Sequence, residues 1–410
     1  MDWSPQQSRA LDAVAEWFKH PSSPQVFILN GYAGTGKTTL AKHFAQHVPG
    51  MVLFAAYTGK AASVLRQMGC PGASTLHSLM YSVGDPDRSG LIALEEQLMM
   101  VQDDPVQTKA LKAEIKEMKR KLNQPRFSVN AMSPIHGASL VILDESSMID
   151  EKLAKDLESF RVKLLIMGDT AQLPPVMGVG YYAKREPNAV LTEIHRQARD
   201  NPILHYATLA REGKEIPFGD LGQAKKIRKD DAPDEVYLDG AQLIIGTNKG
   251  RRKLNRFVRA QRGYDHAHPR KGEQLVILRN DYDRAVLNGT LAIAHQDAEL
   301  VDGEMDALEL PLVYDGRLIP DFIADSIPFD LYEAPESTHD DLIYAMNGPD
   351  RRWMVPVDYG YALTCHKAQG SQWPRVTVCD DSYVWKSSLT KRQWLYTAIT
   401  RAQQEVVIVK

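Results

Sequence analysis

Lys37 and Thr38 are the residues of this sequence whose types and spacing point most directly to chemistry. They close segment 31–38, which reads G-x-x-x-x-G-K-T, the pattern of a phosphate-binding P-loop. Its glycines allow positive φ angles, so that backbone N–H groups can turn inward around phosphate oxygens. Lys37 supplies an ammonium group for the β- and γ-phosphates, and the Thr38 hydroxyl is a ligand for Mg²⁺. The motif predicts a nucleotide site, which kinases, GTPases, switches and motors have in common.

Two adjacent carboxylates predict the hydrolytic part of such a site. Residues 140–143 form an apolar run, and Asp144 and Glu145 follow it directly. In this Walker B arrangement, Asp144 holds Mg²⁺ through water, while Glu145 orients and deprotonates the attacking water. Gln172 follows the next apolar run, where its amide can sense the γ-phosphate. We therefore expect hydrolysis of a Mg²⁺-bound nucleoside triphosphate.

Further polar side chains follow predicted strands, at the edge where open α/β sheets bind ligands. Thr58 and Lys60 come after the apolar run 51–56, and His77 lies in the segment TLHSL. Such donors suit a nucleic-acid backbone, although each alone is also ordinary loop chemistry. Arg401 ends a predicted helix in the half without a P-loop. It is either an arginine finger that reaches across a cleft or a cation that favours the helix dipole.

Strand-like and helical segments alternate through both halves of the chain, which predicts the α/β class. The length of 410 residues suffices for two or three domains. Residues 80–127 interrupt the alternation with a helical pattern, and residues 290–355 with short alternating runs typical of a β-rich insertion. Segment 249–271 carries nine Lys/Arg and one acid, which makes it a candidate phosphate-contacting surface. Segment 297–341 carries fourteen Asp/Glu and one Arg, a charge that would repel a nucleic-acid backbone, so we expect its acidic face to point away from any bound nucleic acid.

The composition is that of an ordinary soluble protein, with 43% hydrophobic and 25% charged residues and a net charge of −3. Any nucleic-acid site must therefore be a local basic patch. The three cysteines are scattered, so we expect neither disulfides nor zinc. No apolar run reaches the roughly 18 residues of a membrane span. We expect a cytoplasmic, nucleoid-associated protein.

The ordered motifs resemble those of superfamily 1 helicases, specifically the RecD/Dda-like 5′→3′ branch, superfamily 1B. Eight segments carry the resemblance, which runs from Gln7 to Val409. In chain order they are similar to motifs I, Ia, Ib, II, III, IV, V and VI: GYAGTGKTT, AYTGKAA, TLHSL, LDESSM, GDTAQLPPV, LTEIHRQ, YALTCHKAQGSQ and LYTAITRA.

The resemblance implies two RecA-like parallel-sheet domains in tandem, with ATP in the cleft between them and DNA across both. Residues 1–79 and 128–195 would form the first domain, and 196–289 and 356–410 the second. Residues 80–127 would be an inserted helical wedge, and 290–355 an inserted acidic, SH3-like β subdomain. The implied cofactors are ATP and Mg²⁺, and the implied partners are single-stranded DNA and a DNA fork. Replication, repair and recombination are the implied settings, and we expect a monomer.

Roles are implied for residues at the matching motif positions. The catalytic set is Lys37, Asp144, Glu145, Gln172, Arg196 and Arg401. The ATP-binding set is Gln7, Gly34, Thr35, Gly36, Lys37, Thr38 and Thr39, in which the Gln7 amide would pair with the adenine edge. The metal ligands would be Thr38 and Asp144. The DNA-contacting set is Thr58, Lys60, His77, Thr364, His366 and Lys367.

Two other classes of protein share part of this pattern. An ATP-gated single-stranded-DNA-binding switch would use the same cleft without processive unwinding. A P-loop kinase would need an acceptor pocket, and no motif in the sequence marks one.

Overall fold

A computed structural model describes the chain in several stretches. The described residues are 3–83, 94, 97–98, 111, 127–174, 180–193, 200–281, 284, 286–302, 304, 306–346, 351, 353–382, 385 and 387–410.

The first half contains five helices and eight strands within the described ranges. The helices are α1 (Pro5–Lys19), α2 (Lys37–Ala45), α3 (Gly59–Gln67), α4 (Leu76–Met80) and α5 (Glu151–Glu158). The strands are β1 (Val26–Gly31), β2 (Met51–Ala56), β3 (Ser74–Thr75), β4 (Tyr81–Val83), β5 (Phe127–Val129), β6 (Ala138–Asp144), β7 (Lys163–Gly168) and β8 (Ala189–Leu191).

Six of these strands form a parallel sheet in the order β3-β2-β6-β7-β1-β8. Along β6, Leu140 and Ile142 pack into the core on one face of the sheet, and Val141 and Leu143 into the core on the other. A strand covered on both faces reads as a continuous apolar run, which is why the sequence reveals it. Because the strands are parallel, their carboxyl ends, and the polar residues that follow them, meet at one edge.

The second half alternates in the same way but carries more strands. Its helices are α6 (Pro202–Glu212), α7 (Glu235–Leu238), α8 (Asn248–Gln261), α9 (Ile327–Asp330), α10 (His339–Met346), α11 (Cys365–Ala368) and α12 (Ser388–Ile399). The strands are β9 (Gly219–Asp220), β10 (Ala224–Ile227), β11 (Gln242–Ile245), β12 (Gln274–Ile277), β13 (Leu291–Ala294), β14 (Glu299–Leu300), β15 (Ala307–Glu309), β16 (Leu312–Tyr314), β17 (Arg317–Ile319), β18 (Ile323–Asp325), β19 (Val355–Tyr359), β20 (Ala362–Thr364), β21 (Trp373–Cys379) and β22 (Ala402–Val409).

A second six-stranded sheet has the order β20-β11-β21-β22-β10-β9 and is parallel except for β9. The chain thus has two α/β units in tandem, as predicted. A third sheet of eight strands, β14-β15-β18-β19-β12-β13-β16-β17, is antiparallel except between β18 and β19. It includes β12 and β19, so the β-rich unit extends beyond the limits of 290 and 355 expected from the sequence.

The base of the first insertion is a two-stranded antiparallel ribbon of β4 and β5. The helical wedge predicted for 80–127 lies almost wholly outside the described residues. No helix in the part of the chain that the structure describes is long and apolar enough to cross a membrane.

Four cations of the basic run 249–271 form ion pairs with carboxylates, and two of these carboxylates belong to the acidic run 297–341. Arg251 of α8 lies 2.5 Å from the Asp358 carboxylate, and both side chains are buried. Arg259 forms a second buried pair, 2.8 Å from Glu273. At the surface, Lys249 pairs with Glu336, and Arg270 with Asp297. The predicted phosphate-contacting surface over 249–271 therefore does not include Arg251 and Arg259, whose charges are paired inside the protein, and it stays a prediction for the exposed cations.

Candidate nucleotide site and nucleic-acid channel

The P-loop follows β1 and begins α2, as its sequence predicts. Gly34 and Gly36 have φ angles of 77° and 81°, a left-handed backbone that favours glycine. Lys37 is the first residue of α2, and its Nζ donates to the Gly31 carbonyl at 2.6 Å. Together with Thr38 and Thr39, these residues line a cavity of about 290 Å³. The backbone cradle for phosphates is therefore formed at the predicted positions, with Thr35 buried beneath it.

Thr38 and Asp144 offer oxygen ligands for a metal ion from two different elements. The Thr38 hydroxyl donates to the Asp144 carboxylate over 3.2 Å, which joins the start of α2 to the end of β6. A hydroxyl beside a carboxylate is a hard oxygen pair that suits Mg²⁺ when it also binds phosphate oxygens and water. The predicted metal ligands therefore fit this ion.

Glu145 occupies a strained position at the junction of the two α/β units. Its φ of 54° is a left-handed backbone conformation that is unusual for a residue other than glycine. Its carboxylate is 3.9 Å from the Arg401 guanidinium. Burial raises the pKa of the Glu145 carboxyl, and the charge of Arg401 opposes that increase. A carboxylate with a raised pKa is suited to accept a proton from water near neutral pH.

Arg401 reaches this cavity from the second unit, where it follows α12. Its side chain is 3% exposed and donates to the carbonyl oxygens of Thr397 and Ser371 at 3.1 and 3.3 Å. These contacts orient the guanidinium beside Glu145, at the wall of the nucleotide cavity. Gln172 is also buried and lines the same cavity, and its Oε1 has no hydrogen-bond partner among the described residues. Arg196 lies outside the described residues.

Gln7 does not take the position expected of an adenine reader. Its side chain is 2% exposed, and its Nε2 donates to the Thr35 carbonyl at 3.0 Å. Its Oε1 accepts from the Ser4 backbone N–H, which completes a capping box at the start of α1. The structure therefore places Gln7 beneath the P-loop, where it supports the backbone. The adenine role is corrected, because the amide groups are already used inside the protein.

The six residues predicted to contact DNA lie around one cavity of about 940 Å³ between the two units. Thr58, Lys60 and His77 come from the first unit, and Thr364, His366 and Lys367 from the second. Thr58 and Thr364 have the same structural role, one in each unit. Each ends a loop or strand, caps the helix that follows, and accepts a backbone N–H in that helix. A hydroxyl that accepts one hydrogen bond can also donate its own proton, for example to a phosphate oxygen.

The pKa values of Lys367 and of the two histidines in this channel are lower than the ordinary values of these side chains. Burial lowers the pKa of Lys367 to about 8, and the nearby Arg251 charge adds to the effect. Its Nζ donates to the Asn288 side chain at 2.8 Å. Burial also lowers the pKa of His77 and of His366, so both rings are neutral donors and acceptors at physiological pH.

The channel is also lined by residues that sequence patterns did not assign to it, among them Arg279, Asn280 and Asn288. These three residues flank or form the turn that connects β12 to β13. The sequence signal was the Asn288-Gly289 pair, which marks a turn but does not show what the turn faces.

Comparisons with known proteins agree with this arrangement. Residues 2–231 match the family model described as an AAA domain, and residues 359–409 match the UvrD-like helicase C-terminal domain. The chain is 25% identical over 431 aligned positions to the ATP-dependent RecD2 DNA helicase of Deinococcus radiodurans. The alignment covers 98% of this chain and 48% of that protein, so the chain spans about half the length of this relative.

Two solved structures share the fold across the whole chain. Pif1 helicase from Bacteroides in complex with ADP-AlF3 and single-stranded DNA has a TM-score of 0.54 at 16% identity. Bacteroides Pif1 bound to single-stranded DNA has a TM-score of 0.52, also at 16% identity. Each comparison covers 100% of this chain and 92% of the other. The solved structures share the tandem RecA-like fold, and the ordered motifs, the UvrD-like helicase C-terminal domain and the RecD2 relative agree with the resemblance to RecD-like superfamily 1B helicases. Because the AAA-domain model matches more than half of the chain, the chain belongs to this AAA-domain family.

Proposed function

We propose that this chain is a Mg²⁺- and ATP-dependent DNA helicase that moves 5′→3′ along single-stranded DNA and unwinds duplex ahead of it. The main support for the proposal is that some residues line both cavities. Glu145 and Gly370 line both the nucleotide cavity and the larger channel, and both cavities lie at the junction of the two units. A change in the nucleotide site therefore acts directly on the walls of the channel.

The residues of the nucleotide cavity account for hydrolysis. Backbone N–H groups of the P-loop and the Lys37 ammonium bind the phosphates. Glu145 orients a water molecule and accepts its proton, and Arg401 stabilises the charge that develops on the transferred phosphate. Mg²⁺, held by Thr38 and Asp144, would neutralise part of the phosphate charge. We propose that Arg196 adds a second cation on the side of the cleft.

The channel suits single-stranded DNA held by its backbone. Its polar lining combines hydroxyl, imidazole and ammonium donors, which contact phosphate and sugar without reading a sequence. The donors come from both units, so closing the cleft around ATP brings two sets of contacts together. If the two sets release DNA in different nucleotide states, each cycle moves the protein along the strand. We propose that replication, repair or recombination of DNA in the cytoplasm uses this activity.

Strand displacement on duplexes with a 5′ or a 3′ single-stranded tail tests the proposal, run beside ATPase assays with and without DNA. We expect ATP-dependent displacement from the 5′-tailed duplex only, and an ATPase rate that rises with single-stranded DNA. Displacement from the 3′-tailed duplex alone would overturn the polarity. DNA affinity that responds to nucleotide, with no displacement from either substrate, would instead favour an ATP-gated DNA-binding switch.

A further inference from the structure

Tyr396 is a buried residue of α12 whose hydroxyl joins two segments of the nucleotide site. The hydroxyl oxygen accepts the backbone N–H of Ala33 in the P-loop at 2.7 Å. The same hydroxyl donates to the Asp169 carboxylate at 2.6 Å. Its ring is 2% exposed and packs in the core of the second unit. One side chain of the second unit thus contacts two loops of the first, which follow β1 and β7.

The neighbours of Tyr396 on α12 contact the same region. Thr397 Oγ1 accepts the backbone N–H of Leu173 at 2.8 Å, and Gln393 Nε2 donates to the Thr170 carbonyl at 3.4 Å. Residues three and four positions apart lie on one face of a helix. This face of α12 therefore rests on the loop 169–173, and the helix ends just before Arg401.

Asp169 connects the Tyr396 hydroxyl to the shape of that loop. Its second carboxylate oxygen accepts the backbone N–H of Ala171 at 3.0 Å. The loop carries Gln172, the buried glutamine that lines the nucleotide cavity. The position of Gln172 thus depends on the carboxylate that Tyr396 holds.

We propose that the Tyr396 hydroxyl is a positioning contact that sets Arg401 and Gln172 against the P-loop for ATP hydrolysis. The inference rests on the proposed ATPase function and adds to it a residue that touches no phosphate. Its ring supplies core packing, while its hydroxyl is used only at the nucleotide site. Burial and the Asp169 charge raise the pKa of this phenol, so it stays protonated and keeps donating to Asp169.

The substitution Tyr396→Phe removes the hydroxyl and keeps the ring volume. We expect kcat for DNA-stimulated ATP hydrolysis to fall by about 10²-fold, the effect of misplacing catalytic groups by about 1 Å. The KM for ATP should change little, because P-loop N–H groups and Lys37 bind the phosphates in the ground state. Strand displacement should fall in parallel with kcat.

Tyr206→Phe is the matched control. Tyr206 is a fully buried tyrosine of the same hydrophobic core, and its hydroxyl has no hydrogen-bond partner among the described residues. The control should keep the wild-type kcat. In a double-mutant cycle, the losses caused by Tyr396→Phe and Asp169→Asn should be less than additive, because both substitutions weaken the hydrogen bond between these two side chains.

Three outcomes separate the possibilities. A Tyr396→Phe variant with wild-type kcat would overturn the inference and leave the proposed function intact. A lowered Tm with normal kcat per folded molecule would also overturn it, since the hydroxyl would then serve stability alone. A wild-type protein without DNA-stimulated ATPase would overturn the proposed function, and this inference with it.

Discussion

If Lys367 contacts DNA as proposed, its lowered pKa should make DNA binding depend on pH. Its pKa of about 8 is below the ordinary lysine value of 10.5, because burial disfavours the ammonium. A bound phosphate favours the charged form and restores a higher pKa. Above pH 8 the free protein must therefore take up a proton to make this contact, and the affinity for single-stranded DNA should fall as pH rises.

The magnitude follows from the fraction of Lys367 that is charged before DNA binds. With a pKa of about 8, that fraction falls from about 0.9 at pH 7 to about 0.1 at pH 9, so affinity should fall about tenfold. The channel histidines are neutral throughout this window, because the pKa of each is lowered. The buried thiols of Cys365 and Cys379 stay protonated, since burial raises the pKa of each to about 12.

The ionisation of Lys367 should also change folding stability with pH, in the direction opposite to its effect on DNA affinity. The folded protein binds fewer protons than the unfolded chain between about pH 8 and the ordinary lysine pKa of 10.5. The free energy of unfolding therefore rises with pH across this interval, by at most about 3 kcal/mol for a shift of this size. DNA affinity and stability should move in opposite directions, which a general effect of alkaline pH would not produce.

Fluorescence anisotropy with a labelled single strand, at constant ionic strength from pH 7 to 9, measures the effect. Lys367→Gln should weaken binding at pH 7 and remove most of the pH dependence. It should also lower the slope of log affinity against log salt by roughly 0.7, the value for one lost phosphate contact. Lys19→Gln makes the same charge change at an exposed site at the end of α1 and should leave both properties unchanged. Wild-type pH dependence in the Lys367 variant would refute the reasoning.

Three further predictions concern the walls of the two cavities. The Glu145→Gln variant should bind ATP with normal affinity and lose most of its turnover, whereas the Lys37→Ala variant should bind ATP more weakly. Measurements of equilibrium ATP binding and of ATPase rates distinguish the two effects. Near-normal hydrolysis by the Glu145→Gln variant would show that Glu145 is not the catalytic carboxylate. Arg401→Lys should lose most of its kcat, because a point charge cannot replace a guanidinium held by several oxygen atoms; a loss of Tm without a loss of turnover would make it a structural residue. Gly59→Ala should lower DNA affinity, because the added Cβ would lie 1.9 Å from a methyl carbon of Leu287. Adding Leu287→Ala should restore part of that affinity. If the double variant restores none, this clash is not the cause of the loss.

The sequence predicts the parts of the site whose residues are close together in the chain. The P-loop and the Asp144-Glu145 pair each follow an apolar strand directly, so one short segment contains both the support and the chemistry. Lys60 and Lys367 could be assigned to DNA only through the resemblance, because nothing local shows that they face the same channel. Both belong to short polar segments after strands, and the parallel sheets bring those segments together.

Contacts between distant residues could not be predicted from local patterns. The basic run 249–271 looks like a phosphate surface until the fold pairs Arg251 with Asp358, 107 positions away. Gln7 lies at a position where an amide could read adenine, but the close approach of α1 to the P-loop commits it to the Thr35 carbonyl. The Tyr396 contact with Ala33 spans 363 positions. In each case the side chain has a partner that only the tertiary structure brings near.

Helix α3 contributes residues to the walls of both cavities and so couples them mechanically. Gly59 and Lys60, at its first turn, line the channel, while Val64 and Leu65, one turn later, line the nucleotide cavity. A helix of nine residues is roughly 13 Å long and moves as a rigid body. The second unit contacts its start directly, since a Cβ added to Gly370 would lie 2.9 Å from the Thr58 hydroxyl oxygen. Any closure that moves this contact should therefore shift a residue of the channel and a residue of the nucleotide cavity together, without a separate relay between the two cavities.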